Sequence, residues 1–253
     1  MKKAFKKHKT YKMRNYSQPS AVNQYSHFKK LENEFDFKLD SNAYYIVRFD
    51  GKGMTKDYRQ GNVAINETFF NTMKEIFKSF CSNNSYILFA YSCNDEISIL
   101  IKATSGIKSI TSRSEKILSL LASELSVLFY KNAIKNNLAL KRDSLFDARL
   151  IKLEEKDILN YFCSRQAFAI YEYVYRLRNQ YNINRNLKNT KDILPELKKK
   201  NINYFGLPFE YRYGLIYSPL KKQIKPFDFS GDLERLETLV FYKKETQPIS
   251  KTN

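Results

Sequence analysis

At 253 residues the chain has room for one large domain or two small ones, and its 43% hydrophobic and 15% aromatic content excludes a disordered chain. Lys and Arg number 44 against 26 Asp and Glu, giving a net charge of +18 and a pI near 9.6. That excess points to a polyanionic partner, nucleic acid ahead of an anionic membrane surface, although AT-rich coding DNA would produce the same richness in Lys, Asn, Ile, Tyr and Phe.

Cys81, Cys93 and Cys163 are odd in number and widely spaced, so they indicate neither a disulfide framework nor a zinc site. The two histidines, His8 and His27, both sit near the N-terminus, which leaves carboxylate and Mg²⁺ chemistry ahead of histidine chemistry. No apolar run reaches the roughly 18 residues of a membrane span, and no signal-peptide core is evident. No membrane partner is expected, and the expected location is the cytoplasm, with a mitochondrial presequence the alternative reading of the acid-free, basic stretch Met1–Arg14. Residues 1–24 are expected to form a basic arm and 25–253 a single domain with a helical C-terminal part.

In chain order, 22–39 predicts a short helix leading into an apolar strand, Tyr44-Tyr45-Ile46-Val47-Arg48-Phe49, that ends in Asp50-Gly51. Phe69, Phe70, Met73, Ile76, Phe77 and Phe80 recur at helical spacing and predict an amphipathic helix over 66–80. Two apolar runs, 87–92 and 97–101, flank a polar tip carrying Asn94-Asp95-Glu96 and read as a hairpin. Ser112-Arg113-Ser114-Glu115 fits a capping box opening a helix to about Tyr130, with Ile117, Leu118, Leu121, Leu125 and Leu128 buried. A strand over 145–153, helices over 156–179 and 191–200, and short strands at 213–217 and 239–242 complete the pattern. The Asn-rich stretch 180–190 reads as a flexible loop and 227–232 as a turn.

The order strand, helix, strand, strand makes this an α+β chain. If the acid-bearing strands are neighbours, Asp50 and Asp95 meet at one edge of the sheet. Two facing carboxylates can hold a pair of Mg²⁺ ions about 3.5–4 Å apart, as phosphoryl and nucleotidyl transfer require. The simpler alternative is that Asp50 opens a turn with Gly51 and Asp95 caps a hairpin.

Taken together, several blocks resemble the histidine-tRNA guanylyltransferase family and its relatives, 3′–5′ RNA polymerases that repair tRNA 5′ ends. Val47-Arg48-Phe49-Asp50-Gly51-Lys52 matches the family's strand followed by Arg-x-Asp-Gly-Lys, and Cys93-Asn94-Asp95-Glu96-Ile97-Ser98 its strand followed by Ser-Asp-Glu. Arg113, Lys116, Ser119, Ala122 and Ser123 stand at the spacing of its next helix. Phe146-Asp147-Ala148-Arg149 and Tyr161…Arg165-Gln166-Ala167 follow, then Ile202-Asn203-Tyr204, Leu207-Pro208 and Gly214.

The resemblance implies a palm-like antiparallel sheet with a βαββ core, a homotetramer, and transfer of GTP-derived or templated nucleotides to the 5′ end of tRNA, with ATP as activating substrate. It makes Asp50 and Asp95 the carboxylates, and the Gly51 carbonyl a further ligand, for two Mg²⁺ ions. Glu96 becomes a ligand or a partner of one. Lys52, Arg113, Lys116 and Ser119 become the nucleotide and phosphate contacts, the alternatives being an ordinary surface lysine at Lys52 and a solvated basic face for Arg113 and Lys116, which share a helix face. Arg149 reads as the ion-pair partner of Asp147, and Arg165 and Gln166 as supports of the fold or of an interface.

Asn94 replaces the family's Ser. No Lys-Pro loop is evident in 60–66, so no base-reading residue is assigned. Phe168–Val174 lacks the His and Asn that mark histidine-tRNA recognition, which favours the template-dependent repair branch. Two other classes stay open: an RNA-binding relative without catalysis, motivated by that altered loop and by Glu172, and another palm enzyme such as a nucleotide cyclase.

Overall fold

Strict alternation in β1 (Tyr44–Gly51) sends Tyr45, Val47 and Phe49 to one face of a sheet and Tyr44, Ile46, Arg48 and Asp50 to the other. The computed structural model describes residues 29–31, 34, 36–54, 66–103, 107, 112–139, 144–219 and 222–230. The chain divides into two compact units, Met1–Phe37 and Lys38–Asn253. In the first unit residues 29–31 are helical. The basic arm expected at 1–24 and the strand expected at 239–242 lie outside the described residues.

The second unit follows the expected βαββ order. β1 is followed by α1 (Glu67–Asn83), then the hairpin β2 (Ile87–Cys93) and β3 (Glu96–Lys102). Then come α2 (Ser114–Lys135), β4 (Phe146–Leu153), α3 (Ile158–Gln180), α4 (Thr190–Lys199), the short α5 (Phe209–Tyr213), β5 (Leu215–Ser218) and β6 (Gln223–Pro226). The six strands form one antiparallel sheet in the order β4-β1-β3-β2-β5-β6. This is the α+β, palm-like architecture that the motifs imply.

One face of the sheet packs Tyr45, Val47, Phe49, Ile97, Ile99 and Ile101 against the stripes of α1 and α2. The other packs Tyr44, Ile46, Phe89, Tyr91 and Leu100 against Ile158 and Phe162 of α3, with Phe227 and Phe229 closing the edge. A third cluster joins the far end of α3 to α4 through Tyr173, Val174, Leu177, Ile193 and Leu197. By length and composition α2 could span a bilayer. It lies instead along the sheet, burying Ile117, Leu121, Leu125, Phe129 and Ala133.

Several expectations change. The capping box does not form: α2 starts at Ser114, and Arg113 is its N-cap residue, extended at φ −84°, ψ 126° with no side-chain cap bond. Arg113 instead pairs in an isolated bridge with Lys38, so a helix over 22–39 does not reach its predicted end, and Arg113 shares no helix face with Lys116. The strand expected at 213–217 begins at Leu215, because Gly214 takes φ 75° at the end of α5. A Cβ there would lie 2.5 Å from the Ser92 carbonyl oxygen, so only glycine lets β5 dock on β2. The stretch 180–190 is anchored: Arg178 donates to the carbonyls of Arg185 and Leu187 at 3.2 and 2.8 Å. The strand β6 has no strong sequence signal, being four residues of which two are exposed.

Candidate active site

The register brings the acids together. Asp50, one residue from the end of β1, lies opposite Glu96 on β3 and opposite Asp147 on β4. Asp95 sits in the two-residue hairpin tip, where Asn94 adopts φ 56°, a left-handed conformation that Asn tolerates better than most residues. The Gly51 N–H donates to the Asp95 carbonyl at 3.0 Å, tying the end of β1 to that tip. A side chain at Gly51 would collide with Met54 Sδ at 2.6 Å and approach Asp95 Cβ at 3.0 Å.

Asp50, Asp95 and Glu96 line one cavity of about 340 Å³, together with Arg48, Tyr91, Asn94, Arg165, Phe168, Glu172 and Arg176. Burial, reinforced by the charges of Asp95 and Asp147, raises the Asp50 carboxyl above its ordinary value, while Arg48 and Arg149 pull it down. Glu96 is raised by burial and opposed by Arg165, which forms a two-point grip: Nε donates to Oε1 at 2.8 Å and Nη2 to Oε2. Ser98 Oγ, 3.1 Å from the Tyr161 hydroxyl, donates weakly to Glu96 at 3.4 Å. On the far wall Arg176 donates to Asn94 Oδ1 at 2.9 Å and pairs with Glu172 at 3.7 Å. The Arg48 Nε is buried and meets no hydrogen-bond acceptor in the described residues.

The predicted phosphate contacts are placed elsewhere. Lys52 is exposed in the turn after β1, its N–H held by the Leu145 carbonyl at 2.9 Å. Lys116 and Ser119 are exposed on α2, Ser119 Oγ donating to the Lys116 carbonyl. Arg113 stands beside Lys38, near Asp40, whose N–H meets Tyr45 at the start of β1. None of these four lines the cavity.

Residues that the motifs did not single out for the site do line it. Arg48 was legible, standing two positions before Asp50 and hence on the same strand face. Arg165 is more than a support of the fold, since it holds Glu96; Gln166, its neighbour, does support the fold. Glu172 stood out only as a departure from the family pattern, and Arg176, four residues on along α3, carried no signal beyond helical spacing.

Among the described residues no group of three or more His, Cys, Asp or Glu side chains is placed to hold a metal ion. Two carboxylates and nearby backbone carbonyls are the donors on hand, and these hard oxygens suit Mg²⁺. The raised Asp50 carboxyl fits such a group, because a divalent cation would stabilise the ionised form against the burial and the neighbouring acid charges that raise it.

A palm-like antiparallel sheet with paired acids at the mouth of such a cavity defines the class of palm-type nucleotidyltransferases. The profile of the Thg1 family, tRNAHis guanylyltransferase, matches residues 25–154. The chain belongs to the tRNAHis guanylyltransferase family and is a nucleotidyltransferase of that type. A bacterial Thg1-like protein solved in complex with ATP is 26% identical at TM-score 0.73, the match covering 86% of this chain and 98% of that one. Two further structures share the fold. A bacterial Thg1-like protein in complex with GTP is 21% identical (TM-score 0.67, 87% and 99% covered), and the Saccharomyces cerevisiae tRNA(His) guanylyltransferase is 18% identical (TM-score 0.64, 83% and 96% covered). No curated protein matches the chain.

Proposed function

We propose that the protein adds nucleotides to the 5′ end of tRNA in the 3′–5′ direction, using Mg²⁺ and nucleoside triphosphates, and that it belongs to the template-dependent repair branch. The observation that carries this reading is the meeting of Asp50 and Asp95 at one cavity, bound together by the Gly51–Asp95 hydrogen bond. The complexes of the two bacterial Thg1-like proteins with ATP and with GTP support nucleotide substrates. The absence of His and Asn from Phe168–Val174 supports the branch.

In this reading Asp50, Asp95 and the Gly51 carbonyl hold the cations. When bound, they lower the cost of ionising the attacking 3′ hydroxyl and neutralise charge at the 5′ phosphate. Arg48, which lines the cavity, offers its guanidinium to a phosphate oxygen in a charge-assisted hydrogen bond. Glu96, already committed to Arg165, orients the β3 end and keeps that guanidinium fixed. Arg176 steadies the tip that carries Asp95 through Asn94. Lys52 reaches phosphate from the exposed turn, and Arg113, Lys116 and Ser119 contact phosphates farther along the substrate. The homotetramer is part of the same reading.

The test is purified protein with Mg²⁺, labelled nucleotide and a tRNA lacking its first nucleotide. Product extended at the 5′ end is expected, with at least a hundredfold loss in Asp50→Ala and Asp95→Ala. Tight RNA binding with no incorporation of any nucleotide would overturn the reading in favour of a non-catalytic RNA-binding protein.

A further inference from the structure

Residues 181–212 carry seven basic against three acidic side chains, and the structure concentrates part of that charge at one place. The helix α4 buries Ile193 and Leu197 against α3, then runs out in Lys198, Lys199 and Lys200, all exposed, with Lys199 Nζ held by Glu196 at 2.6 Å. Asn201, at φ 61°, reverses the chain: its N–H meets the Lys198 carbonyl at 2.9 Å, and the Ile202 N–H meets that of Leu197 at 3.0 Å. Five residues beyond Lys200 stands Phe205, so the two are at most about 17 Å apart.

Three lysines at a helix C-terminus also complement its dipole, and that alone would make them ordinary. Phe205 makes the difference. It is 68% exposed, and the chain holds it there: Asn203 Oδ1 accepts the Phe205 N–H at 3.2 Å at the head of a short 3-10 turn. The Phe205 ring meets Tyr204 edge-on at 5.3 Å. Behind it the Arg212 guanidinium lies over the rings of Tyr204, Phe209 and Tyr213, and Phe209 is itself 40% exposed. Exposed aromatic faces backed by a guanidinium and flanked by a cluster of lysines match the way proteins take up unpaired nucleotides: bases stack on rings while phosphates meet the cations.

We propose that Lys198–Lys200 and Phe205 form a docking surface for an unpaired, single-stranded segment of the RNA substrate, with a base stacked on Phe205 and the neighbouring phosphates on the lysines. This rests on the reading that the substrate is RNA, and it adds where that RNA is gripped away from the acids. A protein partner fits less well, because it would have to neutralise three adjacent lysines around a small apolar patch.

The chain has no tryptophan, so Phe205→Trp installs a single reporter in the full-length protein. Titration with a 12-nucleotide oligouridine or a tRNA transcript should quench it at saturation, while a blunt RNA duplex should leave it unchanged. Phe205→Ala should weaken oligouridine binding roughly tenfold. Replacing the three lysines with Gln should reduce the slope of log affinity against log salt by about 2. Unquenched Trp fluorescence with bound oligouridine, or unchanged affinity in Phe205→Ala, overturns the surface. If wild-type protein binds tRNA and extends it while these variants behave as wild type, only the surface falls. If wild-type protein extends no RNA, the functional reading falls instead.

Discussion

Gly51 does two things at once. Its N–H holds the Asp95 tip, and its missing side chain lets Met54 and Asp95 close in. In Gly51→Ala the new methyl meets Met54 Sδ at 2.6 Å and Asp95 Cβ at 3.0 Å, so the tip must move away from β1. Nucleotide incorporation should fall at least tenfold with a loss of only about 1–2 kcal/mol in stability. Adding Met54→Ala should recover part of the activity, as read by initial rates; no recovery would show that the Met54 contact is not the limiting one.

Asp50 carries the opposite balance, being useful for chemistry and costly for folding. Its carboxyl is raised by burial and by Asp95 and Asp147, so the folded chain holds that proton more tightly than the unfolded chain does. Stability therefore falls as pH rises from the ordinary value of 3.8 through the raised folded value, and the cost persists above it. In EDTA, Asp50→Asn should melt higher than wild type at neutral pH, by less than about 1 kcal/mol because solvent screens the half-buried group. The gain should vanish as pH is lowered below 3.8, where the Asp50 carboxyl is protonated in the folded and unfolded chains alike. A lower melting temperature in Asp50→Asn at neutral pH would contradict this.

At the level of elements, α3 organises the site because it serves the sheet and the C-terminal edge together. Phe162 packs into the sheet face, Arg165 about one turn on grips Glu96, and Arg176 about three turns further reaches Asn94. Gln166, 2% exposed, stitches three segments with three short bonds. Its Nε2 donates to the Tyr213 and Phe227 carbonyls at 2.8 and 2.7 Å, and its Oε1 accepts the Phe229 N–H at 2.7 Å. Gln166→Leu leaves the Phe227 carbonyl and the Phe229 N–H without that partner, while the Tyr213 carbonyl keeps the Tyr91 hydroxyl at 3.1 Å, and chemical denaturation should show a loss of about 2–3 kcal/mol. A change below about 1 kcal/mol would mean that the C-terminal edge is held by Phe227 and Phe229 packing alone.

At the scale of the molecule, α2 turns one face to the sheet and leaves Leu120, Val127, Tyr130 and Ile134 exposed on another. Positions 120, 127 and 134 repeat every seven residues, with Tyr130 three after Val127, the spacing of a helix-pairing seam. Self-association through this seam should give a multimer by light scattering, and Val127→Glu should lower the measured mass; an unchanged mass would rule out this seam as the contact between copies.

What the amino acids determined alone was local and periodic. The apolar run ending at Asp50-Gly51, the apolar stripe of α1 and the Asn94-Asp95 tip each encode themselves within a few residues, so the βαββ order and the acid-bearing strand ends were legible. The family blocks then named the chemistry. What required the folded chain was every pairing across long separations. The Arg165–Glu96 grip joins residues 69 apart, and Arg176 and Asn94 meet across 82. Lys38 took the backbone of Arg113, which the sequence had assigned to a helix. Neighbouring residues cannot encode which distant group desolvates a charge or satisfies a carbonyl; only the closed sheet, with α3 laid across it, decides that.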